Sequence, residues 1–317
     1  MTRIAAAAYP LDFHDDWASY AEKVSRWVEE AQAALLVFPE YGAMELASLG
    51  GAEIAGDLEA SLQHVAGLRA PMEALFAELA ARHACHILAP SGPVIEAPLV
   101  EGSKRLNRAT LFGPEGRIGA QDKAIMTRFE REDWRVDAGA GLTLFETALG
   151  KIGVVICYDS EFPLLSRALA EAGAEILLVP NGSPYHRGKP DLRLNLMVAR
   201  VNETGLPLVY LNMIGGQDDQ VFDGASFVLN PGGALAVQMP QFLPSITHVD
   251  FEETADGWRA KPGLMETLPR IVEADYHAMV LGTRDYLAKC GFKKVLLGLS
   301  GGVDSALVAA IAADAIG

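Results

Sequence analysis

Cysteine is scarce in this sequence: three residues, Cys85, Cys157 and Cys290, among 317. An odd, sparse set supplies no disulfide framework and fits a reducing, cytoplasmic setting. No apolar run approaches the ~18 residues of a membrane span, so no membrane partner is expected. Met1-Thr2-Arg3-Ile4 enters a strand-like run directly, with no signal-peptide core. Positive charge is also short: 26 Lys and Arg stand against 41 Asp and Glu, a formal charge of −15. That deficit argues against a nucleic-acid phosphate backbone as ligand, and the acidity serves solubility. His83, Cys85 and His86 lie close together, but no second ligand pair follows, so no metal site is expected.

Apolar residues, by contrast, are plentiful. Half the residues are hydrophobic, enough for one large domain or two smaller ones. Residues 4–9, 35–38, 86–91, 108–112, 117–120, 142–146, 151–156, 175–180, 206–212, 225–229 and 234–239 read as strands. Residues 15–30, 57–83, 163–172, 191–203 and 271–290 carry helical spacing. Leu35-Leu36-Val37-Phe38 is continuously apolar, the mark of a strand buried on both faces. Gly113-Pro114-Glu115-Gly116 and Leu149-Gly150 are turn signals between antiparallel strands. Strands and helices alternate, yet hairpins occur among them, which predicts a mixed pair of sheets with helices outside. Residues 127–134 read as a charged, aromatic loop, and 241–270 as irregular structure or a linker. Residues 294–299 read as a last strand, followed by a small-residue helix.

Three polar residues follow three of these strands. Val154-Val155-Ile156 runs into Cys157, Leu35-Leu36-Val37-Phe38-Pro39 into Glu40, and the strand after residue 117 into Lys123. Adjacent strands would bring the three ends to one edge, where α/β folds place their sites. A free thiol is mostly protonated near neutral pH and needs a base or cation beside it. Glu40 can take the proton, while Lys123 and the backbone N–H of Tyr158 can face an oxyanion. Taken singly, each has a plainer reading: a small core thiol, a strand-end carboxylate, a solvated turn lysine.

Phe38-Pro39-Glu40, Asp122-Lys123 with Glu130 downstream, and Ile156-Cys157-Tyr158-Asp159 with Phe162-Pro163 together resemble the nitrilase, or carbon–nitrogen hydrolase, superfamily. The resemblance covers roughly residues 1–240. It implies an α/β fold of the αββα sandwich type, usually paired through its helices as a homodimer or larger homo-oligomer. It further implies Glu40 as general base, Lys123 as oxyanion stabiliser, Cys157 as nucleophile and Glu130 as a second carboxylate positioning lysine or substrate. Residues 1–180 look like a free-standing amidase. Residues 181–317, from Asn181-Gly182-Ser183-Pro184-Tyr185-His186-Arg187, look like a glutamine-dependent NAD synthetase. The pattern changes over residues 174–180.

Ser300-Gly301-Gly302-Val303-Asp304-Ser305 resembles the pyrophosphate loop of ATP pyrophosphatases, whose glycines and N–H groups hold an anion. One helix follows it, too little to enclose a nucleotide, so it reads as a truncated remnant and ATP binding is not expected. Its strand and helix are expected to dock on the body, pair with another subunit or stay mobile. Residues 1–262 are thus expected to form the hydrolase domain and 263–317 a linker helix with an incomplete synthetase fragment. The main expectation is an amidohydrolase that cleaves a small primary amide, glutamine or aliphatic, through a cysteine thioester without a cofactor. The alternatives are the glutaminase part of an NAD synthetase and a non-catalytic assembly protein with the same fold. A nitrile substrate stays open.

Overall fold

The computed structural model describes residues 1–96 and 103–317. In chain order the strands are β1 (Thr2–Ala8), β2 (Leu35–Val37), β3 (His86–Leu88), β4 (Gly92–Ile95), β5 (Arg105–Gly113), β6 (Gly116–Asp122), β7 (Leu144–Thr147), β8 (Gly150–Val154), β9 (Ile176–Asn181), β10 (Leu208–Asn212), β11 (Ile214–Gln217), β12 (Gln220–Asp223), β13 (Phe227–Leu229), β14 (Leu235–Gln238), β15 (Ser245–Thr254) and β16 (Gly257–Ala260). The helices are α1 (Trp17–Ala31), α2 (Gly51–Ala55), α3 (Leu58–Gly67), α4 (Arg69–Arg82), α5 (Arg128–Glu132), α6 (Pro163–Glu171), α7 (Lys189–Thr204), α8 (Ile271–Lys289) and α9 (Val303–Ile316).

Two sheets stack face to face. One runs β16-β15-β1-β2-β3-β5-β4, with β6 beside β5; the other runs β14-β13-β10-β9-β8-β7. The period of two in each strand splits its side chains between layers. Ile4, Ala6, Leu35 and Val37 meet Ile176, Leu178, Val209 and Leu211 between the sheets. Ala5, Ala7, Leu36 and Phe38 turn outward onto Tyr20, Val24 and Val28 of α1 and Met72, Phe76 and Leu79 of α4. Leu177 and Val179 turn outward on the other side, onto Leu169 of α6 and Met197 and Val201 of α7. The order helix, sheet, sheet, helix is the αββα sandwich. It explains why these strands are apolar at every position: both faces are covered.

The chain departs from the sequence reading in four places. Residues 57–83 hold two helices that meet at Leu68, not one. Pro71 has no N–H to give a carbonyl one turn back, and Gly67 is a weak helix former, so the break falls between them. Residues 127–134 are not only loop: Thr127 and Glu130 form a reciprocal capping box that starts α5. Residues 241–270 are not a linker throughout, since β15 pairs antiparallel with the whole of β1, from Thr2 opposite Phe251 to Ala8 opposite Ser245. Thr247, Val249 and Phe251 point inward and polar residues alternate outward, a strand signal too sparse in apolar residues to stand out. Residues 294–299 form no strand. Leu296, Leu297 and Leu299 are exposed, and no sheet edge lies beside them to supply partners.

Beyond the sandwich, α8 lays Ala274, Ala278 and Leu281 against Ile214 of β11 and Phe242. Its polar side is tied down as well: the Gly216 N–H donates to Asp285 (2.7 Å) and Lys289 donates to the Gly216 carbonyl (2.6 Å). Helix α9 leans on α8, with Ile311 and Ala315 buried and Tyr276 donating to Asp314 (2.6 Å). Among the described residues, no helix is long and apolar enough to cross a membrane.

Candidate active site

The β1–β2–β3 and β8–β9–β10 runs are parallel, so within each sheet these strands finish at a common edge. The two edges meet: the Gly182 N–H, just past β9, donates to Glu40 Oε2, just past β2, at 2.9 Å. Around that contact the sequence-expected residues converge. Lys123 follows β6 and puts Nζ 2.8 Å from Glu40 Oε1 and 2.7 Å from Glu130 Oε2. All three side chains are buried. Cys157 follows β8, close enough to Glu40, Lys123 and Glu130 for all three to act on its thiol.

Cys157 is held in an unusual backbone state. Its φ is +49°, in the left-handed region, where a side chain crowds its own backbone at a cost of about 1–3 kcal/mol. The residue opens a short 3₁₀ turn, Cys157–Glu161, whose Ser160 hydroxyl donates back to the Cys157 carbonyl at 2.6 Å. Asp159 in the same turn is fully buried and accepts from Ala124 N–H (3.1 Å) and Ile125 N–H (2.7 Å). One carboxylate therefore fastens the cysteine turn to the loop that carries Lys123. Tyr158, the expected oxyanion donor, occupies the next position in the turn, with its ring edge-on to Phe162.

The electrostatics follow from burial and from the closeness of Glu40, Lys123, Glu130 and Cys157. Burial pushes the Cys157 thiol well up and the Glu40 charge pushes it further, opposed by Lys123, so the resting residue is a thiol. Burial alone would lower Lys123, but Glu40, Cys157 and Glu130 outweigh it and hold the ammonium charged. For Glu130, desolvation favours the neutral acid, yet Lys123 and the Thr127 and Tyr41 hydrogen bonds bring it below the usual carboxylate range.

The sequence reading missed several supporting groups. Tyr41 donates to Glu130 Oε1 at 2.8 Å and packs against Trp134. Asn107, fully buried on β5, donates to Glu40 Oε1 at 3.0 Å, and its carbonyl accepts the Lys123 N–H at 2.9 Å. Asn107 gave little signal, standing among Arg105, Arg108 and Thr110 just before the strand read over residues 108–112. Arg193 of α7 is buried against Asp223 (2.7 Å) and donates to the Ser183 carbonyl (2.6 Å), bracing the loop that begins at Gly182. A cavity of about 20 Å³ touches Cys157, Asn181, Ser183, Arg193, Met197 and Tyr210, room for one water-sized group.

Other expected residues lie apart from this cluster. Tyr185 and Arg187 reach Asp275 of α8 at 3.0 and 2.8 Å. Arg200 and Glu203 form an ion pair at 2.9 Å, and Arg200 also donates to the Glu161 carbonyl at 3.0 Å. The Ser300, Gly301, Gly302, Asp304 and Ser305 loop is mostly exposed and folds on itself, the Ser305 hydroxyl donating to the Gly302 carbonyl at 2.9 Å. Its serine hydroxyls sit 3.2 Å apart. Cys85 is buried, while Cys290 is exposed. Among the described residues, no three His, Cys, Asp or Glu side chains are grouped to hold a metal ion.

Comparison with known proteins places this site in context. The chain is 63% identical over 166 residues to the glutamine-dependent NAD(+) synthetase of Rhodobacter capsulatus, covering 52% of this chain and 30% of that protein. It is 42% identical over 219 residues to the enzyme of the same name from Acinetobacter baylyi, covering 68% and 40%. The chain thus spans well under half the length of these curated relatives. The solved glutamine-dependent NAD+ synthetase of Acinetobacter baumannii, in complex with adenosine diphosphate, superposes over 100% of this chain and 57% of its own, with a TM-score of 0.80 and 28% identity. The NAD synthase family model matches residues 275–317. The carbon-nitrogen hydrolase family model matches residues 3–260, and the chain belongs to that family.

Proposed function

We propose that this chain hydrolyses the side-chain amide of glutamine and is the glutaminase part of a glutamine-dependent NAD synthetase. The convergence of Glu40, Lys123, Glu130 and Cys157 in one buried cluster carries the hydrolytic reading. The names of the relatives favour glutamine over a small aliphatic amide. A free-standing amidase, the first expectation from residues 1–180, gives way for that reason.

In the proposed reaction Cys157 Sγ attacks the carboxamide carbon as its proton passes to Glu40. The C=O electrons move onto oxygen, which Lys123 Nζ and the Tyr158 N–H stabilise. Collapse breaks the C–N bond, and Glu40 returns its proton to the departing nitrogen, releasing ammonia and leaving a thioester. Water then gives a proton to Glu40 and its oxygen to the acyl carbon. The second tetrahedral species expels the thiolate, which recovers the proton, and glutamate leaves. Thiol, carboxylate, ammonium and water balance every step, so no cofactor is invoked. The 300–305 loop takes no part in this chemistry. The sandwich pairs through its helices, where Leu164 of α6 and Leu192 of α7 are exposed.

The test is ammonia release across a panel of glutamine, short aliphatic amides, ω-amides of dicarboxylic acids and a nitrile. Glutamine should lead, Cys157→Ala should abolish release from every substrate, and Ser300→Ala should leave it unchanged. Faster release from an aliphatic amide would restore the amidase reading. Activity surviving in Cys157→Ala would remove the mechanism.

A further inference from the structure

We infer that Asn107 is a positioning residue that assigns different work to the two oxygens of Glu40, leaving Oε2 as the atom that takes the Cys157 proton; this rests on the hydrolytic reading of the site.

A carboxylate offers about four lone-pair directions, two on each oxygen. Glu40 Oε1 receives Lys123 Nζ at 2.8 Å and Asn107 Nδ2 at 3.0 Å, which fills it. Oε2 receives the Gly182 N–H at 2.9 Å and keeps one direction open. Oε2 is therefore the oxygen with a direction left to accept the Cys157 proton. The amide of Asn107 has only one workable orientation here. Turned over, its Oδ1 would face a carboxylate oxygen, acceptor against acceptor.

That orientation has a cost the fold accepts. Asn107 is 0% exposed, and its Oδ1 finds no hydrogen-bond donor. A leucine or valine in β5 would avoid the orphaned acceptor and pack as well. It would also leave Oε1 held by the lysine alone, and the carboxylate free to pivot about that contact. Three donors from separate segments, Asn107 on β5, Lys123 after β6 and Gly182 after β9, instead fix the carboxylate plane. The Asn107 carbonyl also anchors the Lys123 backbone at 2.9 Å, so this one strand position aligns both partners of Cys157. A buried polar group kept partly unpaired in this way marks a place where geometry outranks stability.

The charged and titratable groups around Glu40 are Lys123, Cys157, Glu130, Tyr41 and Asp159. None of these residues is altered in the Asn107 variants, so a moved pH limb reports on the lost donor. Three variants, Asn107→Ala, Asn107→Asp and Asn107→Ser, are compared with the wild-type chain. Two readouts are used: the pH profile of kcat/KM for ammonia release from glutamine, and the pH dependence of Cys157 alkylation by iodoacetamide, followed on the Cys157 peptide.

In Asn107→Ala the acidic limb should rise by about one pH unit, with kcat down roughly tenfold and KM within about twofold. Asn107→Asp, nearly isosteric but an acceptor, should move the limb further; Asn107→Ser, which restores a small donor, should recover part of the shift. Limbs within roughly 0.2 unit of wild type in folded Asn107→Asp and Asn107→Ser would overturn the inference even if Asn107→Ala fails to fold. Should the wild-type chain release no ammonia from any amide, the hydrolytic reading fails instead, and the Cys157 alkylation profile of the variants against wild type still tests the positioning role of Asn107.

Discussion

Glu130→Gln separates charge from shape at the centre of the site. Glu130 Oε2 accepts from Lys123 Nζ (2.7 Å), the Thr127 N–H (2.9 Å) and the Thr127 hydroxyl (2.8 Å), and Oε1 accepts from Tyr41 (2.8 Å). A glutamine carbonyl can take the Oε2 place, and its amide can donate to a rotated Tyr41 hydroxyl. The contacts survive and one negative charge goes. Charge-assisted hydrogen bonds are worth about 1.5–3 kcal/mol and neutral ones about 0.5–1.5, so the fold should lose roughly 1–2 kcal/mol. Chemistry and thiol reactivity should then move in opposite directions. Glu130 is one of the charges that raise the Cys157 thiol, so its removal lowers the thiol pKa. Alkylation of Cys157 by iodoacetamide near neutral pH should quicken about 3–10-fold. Lys123, left with Glu40 as its only carboxylate, binds it harder. The ammonium is then less free for an oxyanion, so kcat should fall roughly 10–100-fold, or about 1.4–2.7 kcal/mol of barrier. Ammonia release, alkylation rate and a denaturant titration measure the three effects on one preparation. A parallel loss of alkylation and hydrolysis, in proportion to lost folded protein, would reduce Glu130 to a helix cap.

Arg193→Met leaves Asp223 ionised and buried without its partner, which should cost about 3–5 kcal/mol and lower the unfolding midpoint sharply; Arg193→Met with Asp223→Asn should recover much of it, and equal losses in both would show the pair is not the cause. Asp159→Asn addresses pH. Burial pushes Asp159 up to about 6 from an ordinary 3.8, against the N–H groups of Ala124 and Ile125. A folded-state pKa above the unfolded one contributes stability that is present below about pH 4 and lost as pH rises through 6. The wild-type-minus-variant stability difference should therefore fall by up to about 3 kcal/mol between pH 4 and 7, measured by denaturant titration at each pH; a difference flat with pH would refute it.

The legible parts of this protein were those written in consecutive residues. Leu35-Leu36-Val37-Phe38 announces a strand covered on both faces because each layer takes alternate side chains from it. Glu40 and Cys157 stand out because each is the first strongly polar or reactive group past such a run, and Lys123 because it closes the strand that follows a turn signal. The strand over residues 245–254 was not legible for the opposite reason. Its three inward residues are spread among charges, and only pairing with β1 makes a strand of it. The segment 294–299 reversed that error: its composition suits a strand, but without neighbouring strands its backbone has nothing to bond.

What surrounds the reactive groups is written elsewhere in the chain. The donors on Glu40 come from 67, 83 and 142 residues away, at Asn107, Lys123 and Gly182. Short motifs carry only what a residue is, and at a strand end that suffices to name a nucleophile or an ammonium. Which oxygen of Glu40 is free, and which way Lys123 leans, depends on packing between segments that share no local pattern. Asn107 illustrates the difference, since in sequence it is one of several polar residues in its strand, with no motif of its own. Only after β5 lies beside β6 and the two sheets close does its amide face a carboxylate. The loop from Gly182 to Lys189 is set at the same level, braced by Arg193 from α7 and by Asp275 from α8. Asp275 lies in the segment that matches NAD synthase, so a residue from outside the hydrolase family match holds a loop that begins at the Glu40 contact.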